Sequence, residues 1–594
     1  MRRETFEKPL REVPAGAFFM LMRSYAKVVV GVPVEKAFYY ALPEEMTGEV
    51  IPGVRVVVPF SGRKLTGYVV GLSREKPDVS LREIAEIVDS SPIFDGEMLK
   101  LTRWVSDYYC CPWGEALHAA FPPGVRMKKK KSFSPEELSS PPAESLSSSV
   151  TLLHHANRGG GKIEFYLQAI KQALKQGRQA LVLFPEVSHF QNILNLLRFQ
   201  FREKIAILHG RLLPWERYHE WLRMRSGAAR VVIGTRSAVF APLVNLGLII
   251  VDEESNPLYK EKRTPAYHAR EVALERARLW KVPLILGAQA PSLESYFQAE
   301  RGKYKLMVLS PAGEKKELPE IEIADLRREF SSRRVRWALS LELRQEIEAC
   351  LRRGEQTVLF ISRRGAGTQK LIDEVGRLFP NARLGKAGTA YEEGTRAQRH
   401  KGTKYEETIS LFRRGKIDIL IGTQAVLKEL GGERLSLVGI ISADTILNIG
   451  NFRAAEKMFQ LLTQVSNSLL GKQNGKVIIQ TYNPAHYSIL NVGDYPQFYR
   501  EEVEFRRQLN YPPFTSLINI MIKDEEAFRR LIAILEANRD EGVEILPSKA
   551  GMRGQQIIIK GENLAGMRRV IRGELSSSRW NKAGVKVDVD PVEQ

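Results

Sequence analysis

Three consecutive carboxylates, Asp252, Glu253 and Glu254, close an apolar run that begins at Leu246. Acids in that position can hold Mg²⁺ against a nucleotide phosphate and orient an attacking water. Ahead of them, the run Val231 to Ile233 breaks on Gly234-Thr235-Arg236. Both runs are short, β-branched and without alternation, which predicts strands covered on both faces in a parallel sheet. Ligands of such sheets sit at the carboxyl ends of the strands. Asp252 and Glu253 are therefore the catalytic candidates.

Residues 156–163 read Ala-Asn-Arg-Gly-Gly-Gly-Lys-Ile. A phosphate-binding loop needs a glycine at its first position, Gly-Lys at its end and then a hydroxyl residue. Its backbone N–H groups wrap phosphate, the lysine neutralises it, and the hydroxyl ligates Mg²⁺. Gly159, Gly161 and Lys162 fit a nucleotide role. Ala156 replaces the first glycine, and Ile163 offers no oxygen to a metal. A glycine-rich turn capping a helix explains the same residues equally well. His154 and His155 are neighbours, a spacing that does not suit two ligands of one metal. Cys110, Cys111 and Cys350 are too few for a four-cysteine zinc site and fit a reducing cytoplasm.

The elements that must position these groups follow from the apolar runs. From residue 150, runs at 180–185, 205–209, 231–235, 246–252 and 283–287 alternate mostly with helical stretches, predicting a doubly wound parallel sheet. A second set lies at 357–362, 418–423, 438–444 and 476–481. In it, Ile417 to Gln424 again places Gly-Thr after a strand, and Val438 to Asp444 again ends a strand in a carboxylate. The echo suggests two related α/β lobes. The expected division is an extension at 1–25 with Met22 as an alternative start, and a β-rich domain with a helical part at 26–124. A basic, Ser/Pro-rich linker follows at 125–149, then lobes at 150–330 and 331–494, and a small α+β domain at 495–594. In the β-rich part, Phe38, Tyr39 and Tyr40 form one aromatic cluster, and Phe60 sits beside Arg63 and Lys64. Such groups stack bases and hold phosphate, or else fill the core of a small barrel.

The net charge is +20, from 89 basic and 69 acidic residues, which favours a phosphate-rich partner such as nucleic acid. No apolar run is long enough to span a membrane, so no membrane association is expected.

Several segments together resemble one family. They are RKLTGYVVGL near the start, DYYCCPWGEALHAAFPPG at 107–124, and VVIGTRSAVFAP leading to IIVDEE. Further on come TPAYHAREVA, GAQAPSLES at 287–295, FRAAEKMFQLLTQV at 452–465, LNYPPF at 509–514 and the closing VDVDP. The chain is similar to the primosomal protein N′ family of superfamily-2 replication-restart DNA helicases over nearly its whole length from Ala26. The resemblance implies a domain that binds the 3′ end of a nascent strand, a winged helix, and two RecA-like lobes that hydrolyse ATP with Mg²⁺. It also implies a zinc-binding insertion and a C-terminal domain contacting DNA. Its implied partners are forked and single-stranded DNA, primosome proteins and the single-stranded-DNA-binding protein. Carried over, the DNA-binding candidates are Phe38, Tyr40, Lys64 and Arg236.

The departures from the family share a direction. The adenine-reading glutamine motif has no counterpart, and Ser255 replaces the histidine of the acidic box. Ala288-Gln289-Ala290 replaces Ser-Ala-Thr. After Gly422-Thr423-Gln424, Lys428 is kept but the Gly-His-Asp run is not. The last helicase motif reads QVSNSLLG at 464–471, without its two arginines. Arg364-Gly365-Ala366 stands where the zinc insertion would begin, so no zinc is expected. The winged helix is reduced to the linker, and Tyr39 replaces an aspartate of the 3′-end site. The expectation is a helicase-dead scaffold for primosome assembly, with use of ATP and Mg²⁺ left open. The alternative is an active 3′–5′ helicase.

Overall fold

The computed structural model describes residues 25–32, 34–75, 78, 81–121, 149–155, 161–309, 317–331, 338–361, 366–387, 398–423, 426, 434–448, 450–549, 554–575, 580 and 583–592. Met22, the linker up to residue 148, Gly159, Arg364, Gly365, Gln424 and Lys428 lie outside them. The structure is mixed α/β, built on four sheets. Among the described residues no helix is long and apolar enough to cross a membrane.

The first sheet runs, in spatial order, Arg82–Glu83, Phe38–Ala41, Tyr25–Val30, Arg63–Ser73, Arg55–Phe60 and Glu86–Ile87. Its two edge strands are separated by only Ile84 and Ala85, so residues 82–87 draw the edges together and the sheet curls. Alternate side chains then share one interior, which holds Val28, Val30, Tyr40, Val56, Val58 and Val69. The helices Gly96–Tyr108 and Trp113–Ala120 follow. The first is capped by Asp95, whose carboxylate accepts from the Met98 amide at 2.7 Å.

The second sheet is wholly parallel: Lys305–Leu309, Val150–His155, Leu284–Ala288, Leu246–Asp252, Gln179–Leu183, Val231–Gly234, Ile205–Leu208. The third is also parallel: Glu320–Asp325, Lys476–Thr481, Leu435–Ile440, Gln356–Phe360, Ile419–Gly422, Leu384–Ala387. The faint sequence echo becomes a topological one. In both lobes the strand that leads towards an acid, a central strand, the Gly-Thr strand and an edge strand stand in that order, but the expected acid-ended strand of the second lobe is corrected: it stops at Ile440, and Asp444 instead opens the short helix Asp444–Leu447. The Gly-Thr turns match in detail: Ala238 N donates to Thr235 O and Val426 N to Thr423 O, each at 2.8 Å. A fourth, antiparallel sheet of Glu544–Lys549, Gln555–Gly561, Ser516–Ile522 and Lys586–Val589 forms the C-terminal part with helices Glu525–Ala537 and Ala565–Leu575.

One apolar core joins the N-terminal helices, a face of the first lobe and the C-terminal sheet. The second lobe's sheet has its own cores on its two faces.

Candidate functional site

The strand Leu246–Asp252 is buried along its whole length, so its β-branched side chains fill the space beneath the helices and its last residue emerges at the sheet edge. Glu253 follows with a positive φ of 49°, which turns the chain sharply. Gly161, at φ 76°, caps the start of the helix Lys162–Lys175. The structure brings Lys162, Asp252 and Glu253 together. Lys162 Nζ lies 2.9 Å from Asp252 Oδ1 and 3.1 Å from Glu253 Oε1. Burial works against the ammonium charge, but the two carboxylates outweigh it and hold the lysine above its ordinary range.

Two further groups face these acids. Tyr166, one turn along the same helix, donates to Asp252 Oδ1 at 2.9 Å. Gly287 is the reason it fits, since a Cβ there would lie 1.8 Å from the Tyr166 oxygen. Tyr166 left no mark in the sequence because a helix-facing tyrosine reads as core. His155 ends the strand Val150–His155, and its Nε2 stands 3.7 Å from Glu253 Oε1. His155 is 1% exposed, and among the described residues neither ring nitrogen has a hydrogen-bond partner. Burial, then the Lys162 charge, pushes its pKa down to about 3, so it is neutral at ordinary pH. Ligand spacing along the chain could not reveal a histidine delivered by a separate strand. His155, Asp252 and Glu253 could supply metal-binding atoms within 4.8 Å of one another.

The residues do not fit the Mg²⁺ site of a complete phosphate loop. Ile163 packs against the first-lobe core and carries no oxygen. The third acid, Glu254, is part of the frame. It accepts from Arg270 at 2.8 Å, the Ser292 amide at 2.6 Å, and the Ser292 and Ser295 hydroxyls at 3.0 Å. Ser255 donates to Ala290 O at 2.9 Å. From the second lobe, Asn467 reaches Gln289 Oε1 at 3.2 Å.

The nucleic-acid candidates are scattered. Lys64 is exposed on a strand of the first sheet, opposite Pro59. Phe38 is half-buried, edge-on to Phe60 with centroids 5.0 Å apart. Tyr40 must be corrected: its ring lies in the sheet interior and its hydroxyl donates to Pro59 O at 3.2 Å, so no face is open to a base. Arg236 is partly exposed at the first-lobe Gly-Thr turn. It pairs with Glu261 at 2.6 Å and donates to the carbonyls of Lys260 at 2.8 Å and Leu258 at 3.2 Å, tying down that loop.

Residues 27–122 match the family model described as 3'DNA-binding domain (3'BD). A curled β domain similar to that DNA-binding domain, joined to two parallel-sheet lobes, defines a multidomain α/β protein. The replication restart protein PriA of Treponema pallidum (strain Nichols) is 30% identical over 671 aligned positions, covering 96% of this chain and 100% of that one. That of Bacillus subtilis (strain 168) is 35% identical over 471, covering 68% of this chain and 57% of the relative. That of Chlamydia muridarum is 27% identical over 742, covering 96% and 98%. The chain belongs to the replication restart protein PriA family.

Proposed function

We propose that this chain holds forked or single-stranded DNA during replication restart and serves as a scaffold for primosome assembly, without turning over ATP. It acts in the cytoplasm, with single-stranded-DNA-binding protein and primosome proteins as partners. The observation that carries the reading is Lys162 closed upon Asp252 and Glu253 while Ile163 packs into the core. A phosphoryl transfer needs a metal ligand beside that lysine and a cation from the facing lobe, and the loss of the latter alone typically lowers rates by orders of magnitude. Here Ile163 stands at the first position, and the 464–471 segment holds no arginine. These groups act as a unit, so their losses compound on one reaction.

The surviving lysine–carboxylate cluster favours a second reading, in which nucleotide still binds and is hydrolysed. A fork-stimulated ATPase assay, run beside titration with a fluorescent ATP analogue, separates the two. The scaffold reading expects no turnover on any DNA. Turnover near one per second, abolished by Lys162→Ala, would establish the active helicase instead. Fork binding is expected to weaken steeply with salt, because phosphate contacts release counterions.

A further inference from the structure

The strand Ile205–Leu208 is the edge of the first-lobe sheet, parallel to its neighbours, so the turn after it opens on the same side as Asp252. That turn, 209–213, is tied off by its own polar side chains. Glu216 accepts from the Leu213 amide at 2.7 Å, and Arg217 donates to Gly210 O at 3.1 Å and Leu212 O at 3.4 Å. His209 Nδ1 accepts from the Arg211 amide at 3.2 Å. The polar groups hold the backbone while the apolar ones face water. Leu213 is 47% exposed and Trp215 67% exposed. Single exposed leucines are ordinary, but an indole held out on a fixed turn removes a large apolar area from any core.

The surroundings identify what such a ring would meet. At this end of the strand, residues 209–217 carry Arg211 and Arg217 against only Glu216. A protein partner needs a broad apolar patch whose centre is poor in charge. One indole and one leucine flanked by Arg211 and Arg217 suit instead a chain of flat bases joined by phosphates. We propose that Trp215, presented by the 209–213 turn, is a base-stacking contact for single-stranded nucleic acid, with Arg211 facing its phosphates. This rests on the DNA-holding reading above and adds a contact surface on the first lobe, separate from the N-terminal sheet.

The test is a binding titration of labelled twelve-residue oligo-dT and of an abasic strand of the same length. Trp215→Ala is expected to weaken oligo-dT binding by about five- to a hundred-fold while leaving the abasic strand's affinity unchanged, and Trp215→Phe to restore most of the loss. Phe199→Ala, at the opposite end of the same edge strand and 85% exposed, should change neither. Equal affinities of Trp215→Ala and wild type for oligo-dT would overturn the contact while leaving the scaffold reading intact. So would equal losses on both strands, or the same loss from Phe199→Ala. Wild-type protein that binds neither strand would end both proposals. Because Trp215 is exposed, the variants are expected to melt with wild type, and thermal unfolding checks this.

Discussion

Two acids adjacent in sequence do opposite work. Glu253 reaches the open edge beside Lys162, whereas Glu254 is wholly buried and gathers Arg270, Ser292 and Ser295. Removing Glu254 leaves the buried Arg270 guanidinium with Glu271 alone as its carboxylate partner at 2.8 Å and strips Ser292 and Ser295 of their acceptor. Glu254→Ala should therefore cost on the order of 3–5 kcal/mol, read as a lowered urea midpoint. Glu253→Gln, at a partly exposed edge and leaving Lys162 paired with Asp252, should stay within about 1 kcal/mol of wild type. The Gly287–Tyr166 contact gives a second residue-scale expectation. Gly287→Ala forces the Tyr166 hydroxyl off Asp252, since the new Cβ cannot share its space. Overpacking of this kind should destabilise by roughly 1–3 kcal/mol, and Tyr166→Phe in the same chain should recover part of it because the clashing oxygen is gone.

At the scale of elements, the strand Val150–His155 carries a neutral histidine into the site, and this makes stability depend on pH. Burial holds His155 at about 3 against an ordinary value of 6.5. An unfolded chain takes up a proton as pH falls below 6.5, while the folded chain does not until near 3. The stabilisation is complete above 6.5 and fades across that window as pH falls, by up to about 1.4 kcal/mol per unit. Thermal melts at pH 7.5 and 5 should show the loss, and His155→Gln should shrink the difference between them. That strand also marks what the sequence could and could not convey. The acid-ended strand at 246–252, the Gly-Thr turns and both lobes were legible, because buried parallel strands write themselves as unbroken β-branched runs. The strand at 150–155 carries two histidines and a threonine, so periodicity did not single it out. Tyr40 is misjudged from sequence for a related reason. Composition names an aromatic or a cation, but only the pleat and the neighbouring loop decide which way each one points.

The whole molecule depends on how the second lobe is fastened. Its sheet has separate cores, and the link to the rest runs through the helix Ala454–Ser468. There Ala455 and Phe459 enter the shared core, and a buried charge network surrounds them. Arg453 pairs with Glu294 of the first lobe at 2.7 Å, and the Leu293 amide donates to Glu456 at 3.2 Å. Arg506, from the helix Tyr495–Gln508, pairs with Glu456 at 2.8 Å and Glu502 at 2.7 Å, and is itself fully buried. Burial opposes its charge, but Glu456, Glu502 and Glu294 together outweigh that and keep it protonated. Arg506 is thus the cation shared by the second lobe and the C-terminal segment, with Glu294 of the first lobe 3.7 Å away. Arg506→Met keeps the aliphatic volume, strands buried Glu502 without its cation and leaves Glu456 only the Arg453 cation at 3.3 Å, a change that should cost about 3–5 kcal/mol. The cost falls on the joint and not on either sheet, so the unfolding profile should change shape as well as position. Calorimetry of the variant should show the second lobe melting ahead of the first, as two transitions in place of the more cooperative wild-type one. Arg506→Lys, which keeps a charge but not the fork that spans both glutamates, should fall between the two. A uniform downward shift with an unchanged profile would mean that the apolar contact of Ala455 and Phe459 couples the lobes without help from the ions.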